Sequence, residues 1–326
     1  MDKCTNELEA ARAERHRMVD AAAEALRDGK LVALPTETVY GLGADATNDE
    51  AVAAIFEAKG RPRFNPLIVH VLDVEQGRKY GEFNRLALKL AEAFLPGALT
   101  LIVPRVEGCG ISHLATAGLD TVALRMPAHP VARALLRAAG VPLAAPSANK
   151  SGKVSPTTAD HVRDQLGDKV AIILDGGPCS VGIESTIVAC IGDDPVLLRP
   201  GGISREEIET ALGRKVRTPE VGADTAPTAP GQLESHYAPR ARLRLEAKDV
   251  RPGEALLAFG PEVPGTGGPV LNLSEAGNTR EAAAKLFAYL RELDDSGVET
   301  IAVMAVPEEG LGEAINDRLK RAAAER

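Results

Sequence analysis

Apolar residues recur at helical or strand spacing through roughly the first 210 residues of the chain, and the two spacings alternate. The pattern predicts helices at 16–28, 49–59, 84–95, 131–139, 157–166 and 205–212. It predicts strands at 31–34, 66–71, 99–103, 121–125, 143–145, 170–174, 185–191 and 196–199. Asn48 has the type and place of an N-cap, and Ser204 with Glu207 forms a capping-box motif. This alternation predicts a mixed α/β domain around one large core.

The pattern changes after residue 212. Residues 213–240 contain repeated prolines and no periodicity, which is typical of a linker arm. Short apolar runs follow at 254–259, 269–273 and 299–306, and helical spacing returns at 278–293 and 311–324. We therefore predict a mixed α/β (α+β) domain over 1–212, an arm over 213–240 and a small βαβ-type domain over 241–326.

Composition and charge narrow the classes of function. The chain has 326 residues, 44% of them hydrophobic, and a formal net charge of −8, which does not suit binding of nucleic acid through bulk charge. Its cysteines, Cys4, Cys109, Cys179 and Cys190, lack the spacing of a metal site and suit thiols in a reducing cytosol. We find neither the apolar segment of a secretory signal nor the ~18 apolar residues of a membrane span. We expect a cytoplasmic protein.

The common nucleotide-binding loops are absent from the sequence or poorly placed in it. No GxxxxGK[ST] P-loop occurs. The segment 41–46, GLGADA, matches GxGxxA, but a dinucleotide-binding loop joins a strand directly to a helix, and here six residues follow the predicted strand first. A turn in a glycine-permissive loop is therefore the interpretation that we adopt for 41–46.

The stretch KGRPRFNP, residues 59–66, concentrates three cationic side chains after a predicted helix. Cations near a helix C-terminus interact favourably with the helix dipole, so a solvated helix end accounts for the stretch about as well as a binding site does. Two prolines fix the backbone on either side of Phe64 and Asn65, a rigidity that an ordinary loop does not need. Cations and an amide held rigidly suit a phosphate or carboxylate group.

Three further polar stretches lie at predicted strand ends. The loop PSANKSG, residues 146–152, with Ser155 after it, has the composition of an oxyanion-binding loop, although a plain polar turn is equally compatible. Ser185 and Thr186 in GIESTI lack a GxSxG elbow, so we expect them to bind a ligand and not to act as nucleophiles. The stretch PTETVYG, residues 35–41, follows a strand, where ligands commonly bind in α/β sheets.

Together and in this order, the stretches resemble the YrdC/Sua5 family of threonylcarbamoyl-AMP synthases. The matching segments are LPTETVYGLGADA, KGRPRFNPLIVHV, FLPGALTLIV, TVALRMP, APSANKSGKVSPT, GIESTIV and LLRPGGIS. The segment APGQLESHYAPRARL resembles the arm that joins the catalytic domain to an extra C-terminal domain in long, Sua5-type members. It departs from the family pattern in having Glu234 and Ser235 where basic residues are usual.

The resemblance implies a twisted open sheet with a concave, positive cavity, the YrdC-like fold, and a small Rossmann-like C-terminal domain. It implies an enzyme that converts L-threonine, bicarbonate and ATP into threonylcarbamoyl-adenylate and pyrophosphate, the first step of the t6A modification of adenosine 37 in tRNA. Mg²⁺ is expected to arrive on the ATP phosphates, with no metal site on the protein. The expected partners are these substrates and a downstream transferase, with weak or no direct nucleic-acid binding and no membrane.

The resemblance also implies roles for individual residues. The catalytic residues would be Lys59, Arg61, Ser147 and Asn149, around the triphosphate and the reacting α-phosphate. The ATP contacts would be Arg61, Asn65, Thr121, Ser147, Ser155, Arg199, His236 and Tyr237. The L-threonine contacts would be Thr38, His70, Arg125, Ala145 and Ser185, with Thr36 as the alternative to Thr38. Arg63 matches no family contact and is expected at the surface.

Two other functions are compatible with the sequence. One is an enzyme of the same fold with another acyl donor, although such enzymes carry attached transferase, acylphosphatase or zinc-finger modules that this chain lacks. The other is a double-stranded RNA-binding module. The net charge of −8 weakens that hypothesis, but a locally positive concave face would permit it.

Overall fold

The computed structural model describes residues 3–219, 235–265 and 267–325, with side chains from residue 13 onward. The helices are α1 (Lys3–Arg27), α2 (Asp49–Lys59), α3 (Val74–Gly77), α4 (Arg85–Phe94), α5 (Pro130–Ala139), α6 (Ala159–Leu166), α7 (Arg205–Leu212), α8 (Thr279–Asp295) and α9 (Gly312–Ala323). None of these helices has both the length and the apolar character that a membrane crossing requires.

The helix ends confirm the predicted caps. The Asn48 side chain accepts hydrogen bonds from the backbone N–H groups of Glu50 and Ala51, which begins α2. Ser204 and Glu207 form the reciprocal capping box that begins α7. Because caps depend on residues adjacent in sequence, they are among the features that a sequence predicts best.

Nine strands form one mixed sheet in the first part of the chain. They are β1 (Val32–Leu34), β2 (Gly41–Asp45), β3 (Ile68–His70), β4 (Leu99–Pro104), β5 (Thr121–Arg125), β6 (Leu143–Ala144), β7 (Ile172–Ile173), β8 (Thr186–Ala189) and β9 (Val196–Arg199). Their order in the sheet is β7-β1-β2-β6-β3-β5-β4-β8-β9. This mixed sheet, with helices packed against it, confirms the predicted fold class.

The assignment of residues 41–46 to a turn was wrong. They contain β2, which lies between β1 and β6 in the sheet and pairs antiparallel with both. A Cβ atom on Gly43 would lie 2.9 Å from Leu34 Cδ2, so the glycine allows close packing within a strand. The sequence prediction also missed the short helix α3 and a strand at Arg242–Arg244.

The C-terminal part forms a second, parallel sheet. Its strands are β10 (Arg242–Arg244), β11 (Ala255–Ala258), β12 (Val270–Asn272) and β13 (Thr300–Val303), in the order β10-β13-β11-β12. All pairings are parallel, and α8 crosses from β12 back to β13, as in a Rossmann-like domain.

The two sheets belong to domains that pack closely together. Val39, Val154 and Ile183 of the first domain join the apolar core around α8 and α9. A Cβ atom on Gly182 would lie 2.5 Å from Ala283 O, so the backbone of that loop meets α8 directly. The segments 152–155 and 181–185, which hold predicted site residues, therefore lie against the C-terminal domain.

Candidate functional site

The strand register places three polar side chains in a row across the large sheet. His70 at the end of β3 pairs with Arg125 at the end of β5, and Arg125 pairs in turn with Thr100 of β4. Thr100 Oγ1 lies 2.7 Å from Ser185 Oγ, which comes directly before β8. Residues distant in sequence thus meet because their strands are neighbours.

This row borders a small cavity of about 50 Å³. The residues around it are Val39, Arg61, Ile68, His70, Arg125, Ala145, Pro146, Ser147, Glu184, Ser185, Arg199, His236 and Tyr237. Nine of these thirteen are residues that the sequence analysis singled out. Three arginines against the one carboxylate of Glu184 give this lining an excess of positive charge, which suits an anion.

The KGRPRFNP corner turns its cations inward. Gly60 ends α2 in the left-handed conformation, with φ of 61°. Lys59, which is buried, donates from Nζ to the carbonyl oxygens of Ser147 and Asn149. Arg61 donates from Nη2 to Pro66 O at 3.0 Å. Among the described residues, both cations contact backbone carbonyls and no carboxylate, so no neighbouring anion there compensates their positive charge.

Burial has the expected effect on these cations. It lowers the pKa of Lys59 well below its ordinary value, and the positive charge of Arg61 adds to the effect. Burial also lowers the pKa of Arg61 to about 10, against a smaller opposing influence of Tyr237. A bound anion would relieve both penalties. Arg63 is exposed, in agreement with its expected place at the surface.

The PSANKSG loop is rigidly held. Asn149 donates from Nδ2 to the carbonyl oxygens of Lys150 and Lys153, at 2.8 Å each, while its Oδ1 has no partner among the described residues. Ser147 forms an isolated bridge with Gly41 and lines the cavity. Lys59 links this loop to α2, so the four residues assigned to catalysis lie together.

Arg125 forms a buried ion pair that the sequence analysis missed. Its Nη2 lies 2.5 Å from Glu37 Oε1, and Glu37 Oε2 accepts from the backbone N–H groups of Ala128 and His129. Burial would raise the pKa of Glu37, but Arg125 and these hydrogen bonds lower it below the ordinary value. Burial, together with Arg125, lowers the pKa of His70 to about 3, so its imidazole is neutral.

Arg199 completes the positive side of the cavity. It donates from Nη2 to Ser185 O at 2.8 Å and contacts Ser185 Oγ at 3.3 Å. Its guanidinium thus orients the hydroxyl that also contacts Thr100. Ser185 and Arg199 had been assigned to threonine and ATP respectively, and the structure places them in contact.

Glu184 is the second carboxylate missed by the sequence analysis. It accepts from Ser155 Oγ at 2.6 Å and from Arg318 Nε at 2.9 Å. Arg318 belongs to α9 of the C-terminal domain and is fully buried. Glu184 stands in the GIESTI stretch, but no pattern in the sequence connects it with a residue 134 positions away.

The end of the arm closes one side of the cavity. His236 and Tyr237 are buried and lie edge to face, with ring centroids 4.0 Å apart. Tyr237 has a φ of 62°, an uncommon backbone conformation for a tyrosine, and stacks on Phe287 of α8. Burial lowers the pKa of His236 to about 3. Most of the predicted arm, residues 220–234, lies outside the described residues.

Other predicted contacts lie beside the cavity or away from it. Thr38 Oγ1 lies 2.8 Å from Thr36 Oγ1, so the two alternatives are bonded to each other next to Val39. Ala145 lines the cavity, but its N–H already donates to Ile68 O. Thr121 is half-buried at the opposite end of β5 from Arg125 and does not line the cavity.

Unpaired buried polar atoms concentrate at this site. Among the described residues, eight buried side-chain nitrogen or oxygen atoms have no hydrogen-bond partner. Seven belong to residues in or next to the cavity: Asn65 Nδ2 and Oδ1, His70 Nδ1, Asn149 Oδ1, His236 Nδ1, Tyr237 Oη and Arg318 Nη2. Buried polar atoms are rarely left unpaired, so this concentration favours the cavity as a site for a polar ligand.

The carboxylates near the cavity do not form a metal cage. Glu37 is paired with Arg125, and Glu184 with Arg318. In the described part of the chain, no group of three or more His, Cys, Asp or Glu side chains is arranged to hold a metal ion. The donor set therefore does not fit a metal bound directly by the protein.

Comparisons with known proteins agree with this geometry. The family described as "Telomere recombination" matches residues 24–201, and the family described as "Threonylcarbamoyl-AMP synthase, C-terminal domain" matches 203–324. The chain is 44% identical to a threonylcarbamoyl-AMP synthase of Bacillus subtilis, over 94% of this chain and 92% of that protein. It is 45% identical to the threonylcarbamoyl-AMP synthase of Pyrococcus abyssi, over 94% of each.

A solved structure matches both domains at once. The crystal structure of P. abyssi Sua5 complexed with L-threonine superposes with a TM-score of 0.86 at 40% identity, and the match covers 94% of each chain. The similarity thus extends over both the large mixed sheet and the C-terminal domain. The chain belongs to the Sua5/YrdC family of threonylcarbamoyl-AMP synthases.

Proposed function

We propose that the cavity binds ATP, L-threonine and bicarbonate and forms threonylcarbamoyl-adenylate and pyrophosphate. The observation that carries this proposal is the concentration of unpaired buried polar atoms around uncompensated cations. Such a site suits a ligand that is highly anionic and rich in hydrogen-bonding groups. The name of the P. abyssi relative and its structure with L-threonine support the choice of substrates.

On the nucleotide side, the polyphosphate would lie against the KGRPRFNP corner and the PSANKSG loop. In the described part of the chain, Lys59 and Arg61 contact backbone carbonyls and no carboxylate, so they can donate to phosphate oxygens without losing a carboxylate partner. Ser147 and Asn149 adjoin them, and Asn65 has both of its amide atoms unpaired. Ser155, Arg199, His236 and Tyr237 would make the remaining contacts to ATP. Thr121 would contact ATP only if the nucleotide extends along β5.

On the amino-acid side, Arg125 would bind the threonine carboxylate. Its Nε already contacts Gly97 O and its Nη2 contacts Glu37, so a bidentate carboxylate would use the Nη1–Nη2 edge. His70 would stay neutral and bind through hydrogen bonds alone. Ser185 would contact the substrate from its place directly before β8. The Thr36–Thr38 pair would position the loop, and Thr38 would be the closer contact.

The proposed chemistry needs no protein nucleophile. The amine of threonine adds to bicarbonate with loss of water and forms a carbamate. A carbamate oxygen then attacks the α-phosphorus of ATP, and the bond to the bridging oxygen of pyrophosphate breaks. The protein contributes orientation and stabilisation of the charge that develops on the phosphates, through Lys59, Arg61 and Arg199. Mg²⁺ would be brought by ATP on its own phosphates, with most of its waters.

Entry of ATP would require part of the structure to move. The cavity holds about 50 Å³, whereas sites for small molecules usually offer roughly 300–1,000 Å³. His236 and Tyr237 line the cavity from the arm, so their displacement would open it with little change in the sheet. The structure would then correspond to a closed form of the enzyme.

The product would be a substrate for a separate transferase that modifies adenosine 37 of tRNA, and the enzyme would act in the cytoplasm. The resemblance of the chain to its family supports both proposals. Direct tRNA binding is not required for the reaction, because all three substrates are small molecules.

Pyrophosphate release tests the proposal. The purified protein with ATP is expected to release pyrophosphate only when threonine and bicarbonate are both present. Each substrate omitted in turn serves as its own control. Release that is indifferent to threonine would contradict the proposed function, and RNA binding without ATP turnover would favour a binding module.

A further inference from the structure

The fully buried Arg318 reaches from the C-terminal domain to the wall of the catalytic cavity. Its Nε donates to Glu184 Oε2 at 2.9 Å, and its Nη1 donates to Asp317 Oδ2 at 2.6 Å. Its guanidinium carbon lies 5.2 Å from the centroid of the Tyr237 ring, within the range of a cation–π contact. One guanidinium thus joins a cavity carboxylate, a helix of the C-terminal domain and the arm.

Glu184 is an unfavourable residue for an anion-binding cavity. It lines the cavity and is buried, and burial alone would raise its pKa. Arg318, Arg199 and the Ser155 hydroxyl lower the pKa below the ordinary value, so the side chain is an anion at neutral pH. A carboxylate in this place repels phosphate oxygens unless its charge is neutralised.

Arg318 is the cation that can neutralise Glu184 without removing a ligand contact. Arg199 is also close enough to influence the Glu184 carboxyl group. If Arg318 were absent, the carboxylate would draw on Arg199, which the family resemblance assigns to ATP. Loss of Arg318 would therefore leave the negative charge of Glu184 to repel the phosphates, and it would also draw the positive charge of Arg199 away from them.

Mechanical attachment of the domains does not explain the burial of Arg318. Two other ion pairs, Arg205–Glu313 and Arg280–Glu207, already connect the domains. Their side chains are between 24% and 66% exposed, whereas that of Arg318 is 0% exposed. Burying an ion pair carries a desolvation cost that a surface pair avoids, so attachment alone favours the surface arrangement.

We propose that Arg318 is a positioning residue of the nucleotide site, supplied by the C-terminal domain, which neutralises Glu184 beside the bound polyphosphate. This inference rests on the proposed function, because the anion is taken to be the polyphosphate of ATP. It gives the C-terminal domain a direct part in substrate binding. Tight anion binding in the first domain would then require the C-terminal domain to be packed against it.

The experiment measures binding of ATP and of inorganic pyrophosphate to the full-length protein by isothermal titration calorimetry. The variants are Arg318→Met, Glu184→Gln and the double variant. Arg318→Met is expected to weaken binding of both ligands at least tenfold, because it leaves Glu184 charged and unpaired in the cavity. The double variant is expected to return to within about threefold of the wild type, because it removes the repulsive charge as well. Glu184→Gln alone is expected to bind as tightly as the wild type or more tightly.

Arg205→Met is the matched control, because it breaks an ion pair between the same domains away from the cavity. Its affinity for both ligands is expected to stay within about twofold of the wild type. If Arg318→Met does not fold, the double variant and Glu184→Gln still decide the question, since neither leaves an unpaired buried carboxylate.

The outcomes separate this inference from the proposed function. Unchanged binding by Arg318→Met, a double variant as weak as Arg318→Met, or weaker binding by Glu184→Gln would each overturn the role of Arg318. In those cases a wild-type protein that still forms the adenylate would leave the proposed function intact. A wild-type protein that binds neither ATP nor pyrophosphate would overturn both.

Discussion

The cavity in the large sheet and the carboxyl edge of the C-terminal sheet differ in whether their buried polar groups have hydrogen-bond partners. Parallel sheets commonly bind ligands beyond the carboxyl ends of their strands, which favours the C-terminal sheet. There, however, Ser274 Oγ donates to Glu281 and accepts from the N–H of Asn278, and Asn272 contacts Gly260 O. Among the described residues at that edge, none has an unpaired buried side-chain atom.

The difference in hydrogen-bond satisfaction favours the cavity over the C-terminal edge as the place for a ligand. The C-terminal edge satisfies its own polar groups, and the Glu281 carboxylate lies in the first turn of α8, where a phosphate would otherwise bind. At the cavity, by contrast, Lys59 and Arg61 have no carboxylate partner among the described residues, and several buried polar atoms have no described partner. The chemistry is therefore expected in the first domain, and the second contributes by packing against it.

The largest expected effect is the loss of stability when the buried ion pair between Arg125 and Glu37 is broken. Arg125→Met leaves Glu37 buried without its cation and is expected to lower the free energy of unfolding by about 3–5 kcal/mol. Arg205→Met, which breaks a half-exposed pair with Glu313, is expected to cost less than about 1 kcal/mol. Urea unfolding of both variants makes the comparison, and equal losses would contradict the special status of the cavity pair.

Protonation of the cavity histidines should give the next largest effect. His70 and His236 have pKa values of about 3 when folded, against about 6.5 for an unperturbed histidine. As the pH falls below about 6.5, the unfolded chain binds protons that the folded protein does not, so stability decreases. Each histidine is expected to cost about 2 kcal/mol at pH 5 relative to neutral pH.

The test compares the pH dependence of unfolding in two variants. His70→Gln should remove about 2 kcal/mol of the loss between pH 7 and pH 5, because one depressed histidine is gone while His236, His129 and His161, whose pKa values are also lowered, remain. The exposed His113→Gln is the control and should keep the full loss. If His70→Gln keeps the same slope as the wild type, its imidazole is not held neutral by burial.

Most of the regular structure, but little of the electrostatics, could be predicted from the sequence. The caps at Asn48 and Ser204 and the bounds of β5 follow from neighbouring residues, and the structure confirms them. The strand β2 was missed because its glycines suggest a turn, and only the packing of Leu34 against Gly43 explains them. Glu37 occurs in the PTETVYG motif, but its ion pair with Arg125 became evident only from the fold.

The interdomain contacts could not be predicted from any local pattern. Arg318 lies in a segment with no motif. Its contact with Glu184 depends on how the C-terminal domain packs against the first domain. The sequence likewise could not predict which of the site residues line the cavity. Thr121 and Arg125 share one strand and one face, yet they stand at opposite ends of it.

Two single substitutions in the KGRPRFNP stretch compare a cation of the cavity with an exposed cation of the same loop. Arg61→Ala is expected to lower ATP affinity or turnover at least tenfold with folding intact, because Arg61 lines the cavity. Arg63→Ala, two residues away and exposed, is expected to stay within about twofold. Equal behaviour of the two variants in ATP titration would make the stretch an ordinary helix end.

The smallest expected effect concerns the C-terminal edge. Ser274→Ala removes two buried hydrogen bonds and should cost about 1 kcal/mol of stability. Pyrophosphate affinity should stay within about twofold, because the edge is not part of the nucleotide site. A larger loss of affinity, measured by calorimetry with the folded variant, would move part of the binding site to the C-terminal sheet.

The central claim is that the cavity joins threonine, bicarbonate and ATP. Mass analysis of the product, with carbon-13-labelled bicarbonate, tests it most directly. The account predicts an adenylate that contains threonine, gains mass from the labelled carbon and forms together with pyrophosphate. An AMP-level product without threonine, or one whose mass does not respond to the label, would contradict it.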